Sequence, residues 1–133
     1  MKKQGFVVLR KKTKIVELTD EKRKEEFGEV EEITSRDVGA TQANLAKITL
    51  YDADYLHSHK KAEETYICVD GIGEIYLNGQ ILDFTPGTRV IIRPGTLHAA
   101  RPKEILRKLV FWCISSPPFN PKDDYYDPKG RDW

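Results

Sequence analysis

The chain has 133 residues, of which 39% are hydrophobic and 32% charged, and a formal net charge of +1. That length fits one domain with a real core, and the hydrophobic share excludes a chain that is disordered throughout. The near-neutral balance excludes binding to nucleic acid through a large basic excess, and no apolar run approaches the length of a membrane span.

Residues 1–42 read as an N-terminal extension. Phe6–Leu9 and Lys14–Leu18 are short β-branched runs that suit edge strands. TDEKRKEEF predicts a short helix with Thr19 or Asp20 as its N-cap. The basic run from Arg10 to Lys14 is followed closely by acidic residues, so this stretch reads as a solvated face. EVEEITSRDVGATQ runs partly extended into a loop at Gly39.

Residues 43–116 give a cleaner pattern, and it is strand throughout. ANLAKITLYD alternates, with Ala46, Ile48 and Leu50 on one face. TYICVD ends at Asp70-Gly71. GEIYLNGQILDF places two strands around Asn78-Gly79, a dipeptide suited to a two-residue turn with positive φ at both positions. TRVII, LHAAR and ILRKLVFWCISS follow as strands. Many short strands at close spacing, with no helical crossover, imply antiparallel sheets closed into a sandwich or small barrel. Residues 117–133 form a Pro-rich tail whose four prolines argue against regular structure, with Tyr125, Tyr126 and Trp133 available to pin it to the body or to a second subunit.

The chain has three histidines, and two of them are His57 and His59 in HSHKKAEE. If Leu56–His59 is extended, both imidazoles project from one face. Glu63 or Glu64 opens the next strand, and His98 in RPGTLHAA can supply a third imidazole. Three neutral nitrogens and one carboxylate suit Fe, Mn, Ni, Zn or Cu rather than calcium, which takes oxygen ligands.

HSHKKAEETYICVDG and RVIIRPGTLH together resemble the two motifs of the cupin superfamily, and NGQILDFTPG between them matches in length. The resemblance covers roughly residues 43–115 and implies an all-β, double-stranded β-helix (jelly-roll) barrel. It implies His57, His59, Glu64 and His98 as metal ligands, with Glu63 facing the other way. Three positions depart from the family pattern: Tyr51, Arg93 and Pro102. None of them is a ligand, but they block transfer of a substrate from any one branch.

The expected function is a metalloenzyme acting on a small polar organic molecule, by dioxygenase-type oxidation or by sugar or carbonyl isomerisation. Glu64 is a candidate base if it leaves the metal. Strand parity puts Tyr66 and Cys68 on Glu64's face and Ala100 on His98's face; Arg89 and Arg93 share parity too, and are candidate carboxylate or phosphate binders, with a surface role the favoured alternative for both. The alternatives are a non-catalytic small-molecule-binding, storage or sensor module, and a barrel in which the metal is only a staple. Cys68 and Cys113 lie in apolar runs and read as small buried hydrophobes. The N-terminal sequence lacks a secretory leader's apolar run, so a cytoplasmic location is expected. Edge strands around Phe6–Leu18 and the habit of small cupins predict a homodimer.

Overall fold

Alternation of apolar and polar residues builds two facing sheets. The computed structural model describes residues 5–104 and 106–133, and among these there are eleven strands in two antiparallel sheets. The first sheet runs, in spatial order, β1 (Lys14–Asp20), β2 (Glu25–Glu32), β3 (Asn44–Leu50), β10 (Leu109–Ser116), β5 (Glu63–Asp70) and β8 (Arg89–Ile92). The second runs β11 (Tyr125–Tyr126), β4 (His57–Ser58), β9 (His98–Pro102), β6 (Gly73–Leu77) and β7 (Gln80–Phe84). This is the double-stranded β-helix, a jelly-roll barrel.

β10 sits between β3 and β5 and shows how the wall is made. Leu109, Phe111, Cys113 and Ser115 are all buried, at the period of 2 that a strand imposes. Phe111 pairs with Cys68, Cys113 with Tyr66, and Ser115 with Glu64 across to β5. The rings of Tyr66, Phe84 and Phe111 meet between the sheets, with centroids 4.7 Å apart for Tyr66–Phe111 and 5.5 Å for Phe84–Phe111. The predicted hairpin closes at Asn78 and Gly79, whose φ values of 47° and 92° are those the tight turn demands.

The N-terminal region departs from the sequence reading. TDEKRKEEF is not a helix but the turn and flanks of the β1–β2 hairpin. The Asp20 carboxylate accepts the Lys22 and Arg23 amides, at 3.0 and 3.1 Å, and Lys24 takes a left-handed φ of 52°. Charges fill the would-be helix, leaving no apolar stripe to bury, whereas Phe27 beside Gly28 suits a strand packed on β3. Phe6–Leu9 joins no strand and is exposed. The last predicted strand is shorter than expected, starting at Leu109; Ile105 lies outside the described residues.

The Pro-rich tail does carry regular structure, contrary to expectation. A 3-10 turn at Pro121–Asp123 and the two-residue β11 fit between the prolines. The Leu56 amide donates to the Gly130 carbonyl and the Asp127 amide donates to the Leu56 carbonyl, both at 2.9 Å. Arg131 is buried against Asp20 and Glu25, its guanidinium 4.3 Å from the Phe27 ring centroid. The tail therefore lies along residues 53–62, which carry the histidine pair. No helix among the described residues is long and apolar enough to cross a membrane.

Candidate metal centre

Each of the four clustered side chains is aimed by its own stretch of backbone. His57 opens β4 and pairs in register with His98 on β9, so two imidazoles stand side by side in one sheet, with ring centroids 4.3 Å apart. His59 follows β4 on the same face. Glu64 reaches in from β5, in the opposite sheet, while its neighbour Glu63 is exposed. Ligand atoms of His57, His59, Glu64 and His98 all lie within 4.8 Å of one another. Two ligands on opposite sides of an ion at ~2.1 Å would be ~4.2 Å apart, so the cluster is near coordinating size.

The outer nitrogens are already committed, which orients the inner ones. Nδ1 of His57 donates to the Tyr55 carbonyl at 2.7 Å, and Nδ1 of His98 to the Thr96 carbonyl at 2.8 Å. Nδ1 of His59 lies 3.0 Å from both the Asp123 carbonyl and Asp124 Oδ1. Such partners fix the imidazole and leave Nε2 to bind metal. Nε2 of His59 is buried with no well-directed hydrogen bond, although Glu64 Oε1 is 2.9 Å away. A buried nitrogen that no protein donor or acceptor satisfies is what a ligand to an ion should look like. The residues present thus fit a divalent transition metal.

Charge within the cluster is strongly coupled. Burial opposes a charge on His59, but the Asp124 and Glu64 carboxylates override it and raise its pKa to about 10. Burial likewise opposes the Glu64 carboxylate, yet the imidazoles of His59 and His98 close beside it hold it far below the usual carboxylate range. Burial and the neighbouring His98 push His57 down, toward the neutral form. Metal binding needs neutral imidazoles, so an ion would compete with the proton that these carboxylates favour on His59. The Cys113 thiol donates to Glu64 Oε2 at 3.3 Å, and burial beside that carboxylate raises it well above its ordinary value.

A cavity of about 260 Å³ opens in front of the cluster. Val16, Leu18, Val30 and Ile48 form one wall, from β1 to β3. Tyr66 lines it, as strand parity expected. Cys68, Ala100, Arg89 and Arg93 are not among its lining residues. Cys68 lies one strand repeat too deep and donates to the Phe84 carbonyl, at 3.7 Å. Ala100 is packed in the core, and Arg89 and Arg93 are exposed on or just beyond β8, at the sheet's far edge.

The sequence reading missed Asp54, Cys113, Asp123 and Asp124, and used Tyr126 only as a tail anchor. Asp54 lies three residues before His57, and its burial pushes its carboxyl upward against the opposing pull of His57. Burial and Asp124 raise the Tyr126 phenol to about 12. Asp123 accepts the backbone amides of Lys60, Lys61 and Ala62 at 2.9–3.2 Å, tying the tail to the loop between His59 and Glu64. The Asp54 position close to the histidine pair was a readable signal. The tail contacts span more than 60 residues and had none.

No protein-family model and no curated protein matches the chain. Solved structures do resemble it. A protein from Planctomyces limnophilus superposes with a TM-score of 0.74 at 22% identity, over 91% of this chain and 97% of that one. PAC13 of Streptomyces, a nucleoside dehydratase solved with uridine, gives 0.69 at 15% identity over 96% and 92%. Oxalate decarboxylase of Bacillus subtilis gives 0.65 at 16% identity, where 77% of this chain spans 28% of that one. At these identities the likeness establishes the fold.

Proposed function

We propose that the chain is a metal-dependent enzyme that moves protons on a small polar organic molecule. The observation that carries this reading is the cluster of His57, His59, Glu64 and His98, of which the first three line a cavity of about 260 Å³. A purely structural metal site is closed and needs no such space. A divalent Fe, Mn, Ni, Zn or Cu ion would supply Lewis acidity there, polarising a carbonyl or hydroxyl oxygen.

The chain's own residues favour proton transfer, of the isomerisation or elimination type, over dioxygenase-type oxidation. Asp54 and Tyr126 line the cavity together. The Asp54 carboxylate accepts only the Tyr55 amide among the described residues, at 2.7 Å. Its raised pKa suits an acid–base group better than that of Glu64, which is gripped by His59, His98 and Cys113. Tyr126 donates to Asp124 Oδ2 at 3.4 Å and can steady a substrate oxygen. Uridine bound to PAC13 supports a small polar molecule as the ligand class on this fold.

The test is solvent exchange. Protein reconstituted with each metal is incubated in D₂O with hydroxy-carbonyl compounds and followed by NMR, with oxygen uptake recorded in parallel. Metal-dependent deuterium incorporation that His98→Ala abolishes and Asp54→Asn strongly reduces is expected. Oxygen consumption without exchange would move the reading to a dioxygenase. Neither signal from metal-loaded protein would favour the binding, storage or sensor module.

We also propose a homodimer in a reducing, cytoplasmic setting. Among the described residues β1 ends the first sheet with one edge unpaired, and Phe6, Val7 and Val8 ahead of it are 68%, 62% and 60% exposed. Such an edge invites a second strand. Light scattering should give twice the chain mass, and removal of residues 1–9 should halve it. A monomer at all concentrations would refute the dimer. Free, buried Cys68 and Cys113 support the reducing compartment.

A further inference from the structure

The cavity wall bears on what the metal centre can accept, an inference that rests on the reading above. Among the described residues the cavity is lined by four carboxylates, Glu32, Asp54, Glu64 and Asp124, and by no lysine or arginine; the one cation that the metal-free lining offers is His59, which Asp124 and Glu64 already pair. Arg131 is occupied by Asp20, Glu25 and Asp52, and Lys60 lies over the Tyr125 ring at 4.3 Å. Even two positive charges from a divalent ion would not outweigh four carboxylates. A phosphate or dicarboxylate would enter such a space without the cationic clamp that normally offsets its desolvation.

Hydrogen bonding has the same polarity. Of the neutral lining groups, the Tyr66 hydroxyl stands free among the described residues, while Asn44 donates to the Thr34 carbonyl and accepts the Phe119 amide, at 3.2 and 2.6 Å. Ser115 Oγ donates to the Pro117 carbonyl at 2.8 Å. The carboxylate acceptor left free toward the cavity is the second oxygen of Asp54; Asp124 Oδ1 is buried 3.0 Å from His59 Nδ1, and its Oδ2 accepts from Tyr126. Opposite these stand the apolar side chains of Val16, Leu18, Val30 and Ile48. At roughly 30 Å³ for each water-sized group, the space suits a body of about nine non-hydrogen atoms.

We infer that the ligand is a small hydroxyl- or amine-bearing molecule, uncharged or cationic, with an apolar body laid on the β1–β3 wall and its donor turned toward Asp54. Carboxylated and phosphorylated metabolites are excluded as good ligands. The class is set by the lining, so it holds with or without the ion.

Four probes sharing one body test it: 2-phenylethylamine, 2-phenylethanol, 3-phenylpropionate and 2-phenylethyl phosphate. Each is titrated by NMR into zinc-loaded and into EDTA-treated protein. The amine and the alcohol should bind about tenfold or more tightly than the two anions in the EDTA-treated protein. Asp54→Asn should remove most of the amine's advantage and leave the alcohol. Val16→Lys, on the β1 wall, should narrow the gap between the amine and the anions, and it serves where Asp54→Asn fails to fold. Anions that bind as well as the amine, or no probe binding below about 10 mM, would overturn the inference. Failure of the metal reading would show separately, as no zinc retained, while the EDTA-treated series still reports the ligand class.

Discussion

Replacing Asp123 with alanine should loosen the metal centre from outside it. The Asp123 carboxylate collects three amides, those of Lys60, Lys61 and Ala62, from the loop joining His59 to β5 and Glu64. Burial works against its ionised form, but these amides override burial and hold its pKa below the ordinary value. A hydrogen bond of this kind is worth ~1 kcal/mol net, and partial exposure lowers that, so three together contribute about 2 kcal/mol. For a chain of this length the entropy of unfolding is ~280 cal/mol/K, so Tm should fall by about 7 °C. The loop also sets the spacing between His59 and Glu64, and loss of a supporting residue of this sort typically weakens metal binding 10- to 100-fold. Scanning calorimetry and zinc competition against a chromophoric chelator would read the two effects. Asp123→Asn, which keeps one side-chain oxygen, should lose about half as much Tm. Unchanged Tm and unchanged zinc affinity in Asp123→Ala would refute the reasoning, and a lower Tm with unchanged affinity would confine Asp123 to the fold.

Gly73→Ala should destabilise by about 1–3 kcal/mol in urea, through overpacking. An added Cβ would stand 2.7 and 2.8 Å from the Leu109 methyls and 2.9 Å from the Arg101 carbonyl oxygen; an unchanged midpoint would mean that β6 can shift away from β10. Arg131→Met should lower the urea midpoint, because it strips the partner from Asp20, Glu25 and Asp52. That difference should depend on pH. The Arg131 hydrogen bond holds Asp20 below its ordinary value of 3.8, so Asp20's share of the wild-type advantage is complete above about pH 4. It should shrink as pH falls through the lowered value, and an advantage that grew toward acid would contradict the pairing.

The barrel was legible where a local rule had one solution. Asn78-Gly79 between two alternating runs left the chain little choice but a hairpin, and His57 and His59 at i and i+2 had to share a face once extended. His98 and Glu64 were legible only together with the motif resemblance, since nothing local says that β9 and β5 approach the same point. TDEKRKEEF misled because its charges are compatible with a helix. The Asp20 carboxylate capping two amides, and Phe27 packed beneath the hairpin, decide for a turn. Asp123 and Asp124 were illegible for a different reason. Their partners lie more than 60 residues away, and a Pro-rich segment carries no periodicity to show which face it presents. Arg89 and Arg93 shared strand parity, as expected, but β8 is an edge strand, and parity does not say which face of an edge meets the cavity.

The central claim is that His57, His59, Glu64 and His98 hold one metal ion. Elemental mass spectrometry on protein purified without chelators or a metal-binding tag tests it most directly, with His57→Ala and His98→Ala alongside. Close to one transition-metal ion per chain, lost in both variants while circular dichroism still shows the folded barrel, is the predicted result. No metal in the folded wild-type protein after supplementation with Fe, Mn, Ni, Zn and Cu, or metal retained in full by both variants, would contradict it.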